Sequence, residues 1–425
     1  MQIILIPYGK EQVELIFPDD IQADIILPVE SKPLSDEQSL VSEAITFPIG
    51  DFSWEKIKPV GRVCIAINDK TRPVPNNILV PPILAKLKSI GFTPSQIEFM
   101  IATGTHTPMR SDEFNLLLPQ KIIDNYSVSS HDCDDINSLI YLGKTSLNTP
   151  IWVNKNFYDA DLKIVIGNIE PHHFMGYSGG AKTAAIGLAG RETINFNHAM
   201  LVNPESTFGR YFENPTRLDV EEIGDFIQID IALNIVMNQS KRIMHSLLGS
   251  PREVMLLGIP FSQKICQTEI SHAGYDLVIA SPGGYPKDIN LYQAQKALSH
   301  AASITRAGGC VILVAACAEG VGSNSYELFM EGVPSPAEVF PKIQKEGFKV
   351  GPHKALQFAR EQQRIKIIVV SSIDAKRLER LFLTSIANLD AALIEALSFL
   401  PATPRIAVMP KATNTIPFIK NHVNS

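Results

Sequence analysis

The stretch Asp161-Leu162-Lys163-Ile164-Val165-Ile166-Gly167-Asn168-Ile169-Glu170-Pro171-His172-His173-Phe174-Met175-Gly176-Tyr177-Ser178-Gly179-Gly180-Ala181-Lys182 decides the fold. Its first eight residues form a short apolar run of the length and composition of a buried strand. The chain then turns into a loop carrying two imidazoles, three glycines and a lysine. Glycine lets backbone N–H groups approach an anion closely, because no Cβ intervenes. The lysine supplies either a positive charge or a nucleophilic amine, and a histidine ahead of it can serve as base or metal ligand near neutral pH. A strand that ends in chemically capable residues is the habit of open parallel sheets, which bind ligands beyond their carboxyl edge.

The same arrangement recurs outward from this stretch. Arg62-Val63-Cys64-Ile65-Ala66-Ile67 reads as a strand ending at Asn68-Asp69-Lys70-Thr71-Arg72-Pro73. Ile97-Glu98-Phe99-Met100-Ile101-Ala102 ends at Thr103-Gly104-Thr105-His106-Thr107-Pro108. Between them Pro81 to Ile90 reads as a short helix with its prolines in the first turn and Gly91 as its stop. A second series begins at Asp276–Ala280, followed by Ser281-Pro282-Gly283-Gly284, a helix over Leu291–Ala307 broken by Gly308-Gly309, and strands over Cys310–Ala315, Lys366–Val370 and Arg405–Met409. The expectation is an α/β protein of two domains, each a largely parallel sheet with helices on both faces and the active site in the cleft between them. The expected boundaries are 1–270 and 271–409, with the tail 410–425 a candidate to return to the first domain. The proline-containing acidic stretch Val29–Asp51 reads as surface loop.

Bulk properties narrow the function. A chain of 425 residues exceeds one ordinary core, and 45% hydrophobic with 19% charged residues is usual for a soluble globular protein. A net charge of −6 argues against nucleic-acid binding. Five cysteines, odd in number and without a C-x-x-C pair, read as reduced thiols in the cytoplasm. The N-terminus lacks a signal peptide's basic lead and long apolar core. The apolar run Gly308–Cys317 is far short of the ~20 residues of a membrane span, so no membrane partner is expected.

Each polar constellation has an ordinary alternative. Asp69 and Arg72 can pair locally as a surface turn, or the guanidinium can grip a carboxylate or phosphate. His106 is either structural or a site residue. Gly179-Gly180-Ala181-Lys182 is not a P-loop, since the glycine and Ser/Thr positions do not match. Of His172 and His173 one is expected to face the chemistry. His198, on a helix after the loop, is a core histidine or a metal ligand. Tyr292 and Lys296 stand at i and i+4, and Gln293 and Lys296 at i and i+3, so all three can lie on one helix face, either solvated or set to hold a small polar acid. Gly351-Pro352-His353-Lys354-Ala355 is a candidate lid or rim.

Taken in order, these segments resemble the nickel-dependent lactate racemase family of 2-hydroxyacid racemases and epimerases, from about residue 60 to residue 300. Family members use a nickel pincer nucleotide, a pyridinium-3-thioamide-5-thiocarboxylic acid mononucleotide tethered through a lysine. The resemblance implies that Asp69, Lys70, Thr71 and Arg72 contact cofactor, with Arg72 also reaching substrate. It implies that His106 (in Gly104–Pro108) and His172 (in Pro171–Lys182) are the two catalytic bases, Lys182 the tether and His198 the nickel ligand. Tyr292, Gln293 and Lys296 match the substrate-binding Y-Q-x-x-K. Two departures stand out. Ile186 precedes Gly187 where the family often has proline, and Gly351–Ala355 occupies the place of a tryptophan near the substrate, which leaves the acid open.

The implied chemistry is coherent. A carboxylate disfavours a carbanion at the neighbouring carbon, whereas reversible hydride transfer passes through a planar ketoacid. That route needs a base for the hydroxyl proton on each side, hence two histidines of near-neutral pKa. Nickel accepts imidazole and soft sulfur in square-planar geometry, so one protein histidine suffices. Partners expected are a small 2-hydroxyacid and the proteins that mature the cofactor. Two alternatives remain: a metal hydro-lyase or hydrolase ligated by His106, His172 and His198, and a non-catalytic organic-acid or nucleotide binder.

Overall fold

Every side chain of the strand Leu162–Asn168 is buried, on both faces, as in a sheet covered from two sides. The computed structural model describes residues 2–18, 21–32, 35–347 and 351–419. It divides into two units, Glu30–Ile265 and a second made of Met1–Val29 with Cys266–Ser425. Each is α/β. Among the described residues no helix is long and apolar enough to cross a membrane.

The sheet of Glu30–Ile265 runs Ile243–Gly249, Ile231–Met237, Leu162–Asn168, Val63–Asn68, Ile97–Ala102, Ser127–Ser130. All neighbours are parallel except the edge strand Ile243–Gly249, which returns antiparallel to Ile231–Met237. Chain order reverses between Val63–Asn68 and Leu162–Asn168, so the connections leave in opposite directions there. A crevice at the carboxyl end of these two strands is where such sheets take ligands. One face carries Val63, Ile65, Ile67, Phe99, Ile164 and Leu233 into a core with residues of two helices, Glu37–Thr46 and Asn76–Ile90. The opposite face is lined by small groups, Cys64, Ala66 and Gly167, which lets the short helix Lys182–Ala185 lie close. A Cβ at Gly167 would stand 3.0 Å from Thr183 Oγ1.

Two local expectations are corrected. The stretch 29–51 is not all loop: Glu37–Thr46 is a helix capped by Asp36, whose carboxylate accepts from Ser39 N–H at 3.0 Å. Its Val41, Ala44 and Ile45 are buried, and this narrow i, i+3, i+4 stripe is masked in the sequence by the polar residues around it. The second helix begins at Asn76, which leaves Pro81 and Pro82 in its interior. Burial of Leu79, Val80, Ile83, Leu84 and Leu87 offsets the backbone hydrogen bonds the prolines forgo, about 3 kcal/mol each.

The second unit holds six parallel strands in the order Thr384–Ser385, Lys366–Val370, Thr305–Val314, Tyr275–Ala280, Ile406–Met409, Ala23–Ile25. The helix Leu291–Ile304 stops before Gly308-Gly309, which fall inside the following strand. The sheet's last strand comes from the other end of the chain, so residues 1–29 do not belong with 30–270 as expected. Their hairpin, Gln2–Tyr8 paired with Glu11–Phe17, buries Ile4, Ile6, Leu15 and Phe17 in one core with Leu277, Ile279 and Val408. Gly9 N–H donates to Asp288 Oδ2 at 2.6 Å. A two-stranded ribbon cannot bury its apolar face alone, and the sheet around Ile406–Met409 supplies the cover. The tail likewise stays with this unit: Ile416–Ile419 pairs in parallel with Gln267–Ile270, while 420–425 lie outside the described residues.

Candidate active site

Asp69 follows directly on the strand Val63–Asn68, and its buried carboxylate is fully engaged. Oδ2 lies 2.7 Å from His106 Nδ1, and Oδ1 accepts from Thr71 Oγ1 at 2.7 Å and Thr71 N–H at 3.0 Å. Burial would raise the carboxyl pKa, but the bonds from His106 and Thr71 outweigh it and the net shift is downward. An ionised Asp69 therefore holds His106 Nδ1–H, leaving Nε2 with its lone pair on a ring that is 50% exposed. The His106 turn is tied down by Gly104 N–H donating to Gly187 O at 2.9 Å. The Lys70 ammonium, next in sequence, pairs with Glu113.

The loop after Leu162–Asn168 folds into a miniature hairpin, His172 opposite Gly176 and Pro171 opposite Tyr177. A Cβ at Gly176 would lie 1.6 Å from Arg210 O, so the turn admits only glycine. His172 is buried, and Met175 N–H donates to its Nδ1 at 3.3 Å. Burial first, then the charge of Lys182 and those of His173, Arg72 and His198, push the imidazole well below its ordinary pKa. The ring is therefore neutral with its proton on Nε2. It stacks on His173 at 4.5 Å between centroids and meets Phe174 edge-on at 4.8 Å. Phe174 in turn touches His198 at 5.1 Å.

Lys182 opens the short helix after Gly179 and Gly180, both at positive φ. Arg217, 0% exposed, grips this loop from behind. Its Nη1 and Nη2 donate to Tyr177 O and Gly179 O, each at 3.0 Å, while Nε donates to Glu221 at 2.8 Å. Asn234 Oδ1 accepts from Gly180 N–H at 2.6 Å. Burial, then the guanidiniums of Arg72 and Arg217, lower the Lys182 amine to about 7. Arg72 thus acts on both His172 and Lys182, and the two strand-end loops share one patch of field.

The histidines do not form a three-imidazole cage. Among the described residues the one group of three ligand atoms within 4.8 Å of one another is Asp132, Cys133 and Asp134, away from this cluster in sequence and partly engaged by Arg191. His198, on the helix Arg191–Ala199, meets Phe174 edge-on and lies near enough to His172 to help lower its pKa. In the second unit, Asn290 caps the helix Leu291–Ile304 by accepting from Gln293 N–H at 3.0 Å. Lys296 Nζ donates to Gln293 Oε1 at 3.1 Å, and Tyr292 lies on the same side.

Comparison with known proteins gives the chain's family. Family profiles described as the lactate racemase N-terminal and C-terminal domains match residues 8–209 and 270–416. The chain belongs to the lactate racemase family. It is 29% identical to a lactate racemase of Thermoanaerobacterium thermosaccharolyticum, covering 98% of this chain and 99% of that one. It is 27% identical to a lactate racemase of Lactiplantibacillus plantarum over 98% and 100% of the two chains. The lactate racemase apoprotein structure from T. thermosaccharolyticum superposes with a TM-score of 0.87 at 28% identity, covering 98% of this chain and 100% of that one. A Thermotoga maritima structural-genomics protein shares the fold alone, at TM-score 0.61 and 17% identity over 92% and 100% of the chains.

Against that family background, Arg217, Asn234 and Phe174 are residues that sequence reasoning passed over. Arg217 sits one turn into a helix that begins Asn214-Pro215, four residues before Glu221. That spacing reads as a surface ion pair; only the structure reveals it buried. The cluster fits a lysine-tethered nucleotide bearing sulfur donors. Lys182 offers an amine uncharged in about half of molecules at pH 7, Arg72 offers positive charge, and the buried Ser178 Oγ and Asn234 Nδ2 have no protein partner.

Proposed function

We propose that this protein is a cytoplasmic 2-hydroxyacid racemase or epimerase, an isomerase of the lactate racemase kind, working on a nickel pincer nucleotide. Lys182 would hold that group covalently, His198 would ligate its nickel, and Arg72 and Thr71 would line it. When bound, the group supplies a reversible acceptor for the hydride on the substrate's Cα. The remaining work belongs to the chain. His106, oriented by Asp69, takes the hydroxyl proton at Nε2. His172, neutral while no anion is bound, takes a second proton once the acid's carboxylate lies beside it and, as the imidazolium, gives one from Nε2 to the carbonyl oxygen of the planar ketoacid. On return the roles exchange, and the hydrogen restored to the other face gives the opposite enantiomer. Arg72 steadies anionic charge beside both rings, and Tyr292, Gln293 and Lys296 offer donors to the acid's oxygens.

The observation that carries this reading is the lowered amine of Lys182 within the same field as His172 and Arg72. An ordinary anion-binding lysine gains from staying charged. A covalent tether needs the free amine. The test is co-expression with cofactor-maturation proteins, then mass analysis and chiral assay. The expected result is a mass addition on the peptide containing Lys182, one nickel per chain and interconversion of D- and L-lactate or a close relative. Lys182→Ala should lose the mass addition and His198→Ala the nickel. Loaded preparations with neither adduct nor interconversion of any 2-hydroxyacid overturn it.

A further inference from the structure

Lys354 is 3% exposed, at the start of the helix His353–Gln362, and its surroundings are unusual for a buried ammonium. Nζ donates to Gln295 Oε1 at 2.8 Å and sits 4.6 Å from the centroid of the Tyr292 ring. Gln295 Nε2 is itself given to Ser299 Oγ at 2.6 Å, which fixes the amide so that its oxygen faces the lysine. Among the described residues no carboxylate pairs with Lys354. An ammonium has three N–H donors. One is spent on a neutral amide and the cation leans on a ring face, so its charge is left uncompensated. Lys296 is near enough to lower the Lys354 pKa further, and burial with that repulsion brings it to about 7. Lys354 thus lies over the Tyr292 ring from the neighbouring helix, close enough to Lys296 for their charges to repel, beside the Tyr292, Gln293 and Lys296 group read above as receiving the substrate acid.

Like charges brought together at low dielectric are unfavourable until an anion lies between them. One carboxylate per substrate accounts for Lys296. Lys354 calls for a second anionic group, and it stands in the segment Gly351–Ala355, where lactate enzymes are expected to carry a tryptophan. Lys354 brings one point charge whose other neighbours are an amide oxygen and a ring face, enough to receive one end of a small dianionic acid. We propose that Lys354 selects a 2-hydroxy dicarboxylic acid, receiving the distal carboxylate while Lys296 receives the proximal one. This rests on the racemase reading given above.

The test measures ligand-induced melting shifts of the full chain, which need no turnover, with L-malate, L-lactate and D-3-phosphoglycerate as probes. Malate should reach half-saturation at a concentration at least ten-fold below lactate. In Lys354→Met the malate-to-lactate ratio should fall to near one, and Lys354→Arg should restore part of it. Lys354→Gln, which keeps a polar contact to Gln295, serves if the methionine variant fails to fold. Equal response of the parent protein to malate and lactate overturns the proposal, as does an unchanged ratio in the variants. Phosphoglycerate in malate's place overturns the dicarboxylate. If loaded enzyme interconverts lactate with no dicarboxylate preference, the Lys354 inference falls and the racemase reading stands. If malate binds through Lys354 and no acid changes hand, the reverse holds.

Discussion

Three side chains set the chemistry residue by residue, and two of them carry a pH signature. With an amine pKa of about 7, Lys182 is uncharged in about one tenth of molecules at pH 6 and about nine tenths at pH 8. Labelling by a small acylating reagent, followed by peptide mass spectrometry, should show Lys182 reacting on that curve while surface lysines lag by about three pH units. His172 works in the opposite sense for stability. Its folded pKa is depressed, so below the ordinary value near 6.5 the unfolded ring takes a proton that the folded ring refuses. That contribution is present above pH 6.5 and is lost as pH falls. His172→Asn should therefore flatten the acid side of a stability-versus-pH curve measured by urea unfolding at pH 5, 6 and 7. Asp69→Asn should leave folding intact but free His106 to rotate and change tautomer, lowering kcat by about 10²–10⁴ with KM little changed.

Elements matter here through the grip on a loop rather than through the loop itself. Removing the guanidinium in Arg217→Met leaves the buried Glu221 carboxylate with the Tyr211 hydroxyl but no cation, and takes one donor from each of Tyr177 O and Gly179 O, a loss of about 3–5 kcal/mol. Adding Glu221→Leu should recover much of the melting temperature. It should not restore Lys182 to its pH 7 labelling curve, because the Gly179 turn stays unheld. Much of this scale was legible beforehand. The strands Val63–Asn68, Ile97–Ala102 and Leu162–Asn168 announce themselves as apolar runs ending in Asp69, His106 and Glu170. What escaped notice depended on distant partners. Arg217 and Lys354 look like solvated cations, since nothing near them in sequence tells that the fold closes over them. The helix Glu37–Thr46 hides a three-residue stripe among acids. Lys70, adjacent to Asp69, reads as part of the same motif, but only Asp69 turns inward; Lys70 follows Glu113.

At the scale of the whole molecule, one unit is inserted into the other. The chain completes Glu30–Ile265 as a sheet of its own and then returns to finish what residues 1–29 began. Residues 30–265 expressed alone should give a folded, cooperatively melting domain. Residues 266–425 alone should aggregate, because the apolar surface of Leu277, Ile279 and Val408 loses its cover. Joining 1–29 to 266–425 through a flexible linker should restore a monomer, as judged by circular dichroism and gel filtration. There is a temporal side to this architecture. The ribbon leaves the ribosome with Ile4, Ile6, Leu15 and Phe17 seeking shelter, and Val408, which shares their core, is made about 390 residues later. At about 5–20 residues per second the wait is roughly 20–75 s. Throughout that interval the ribbon's apolar side chains go without the cover they have in the finished fold.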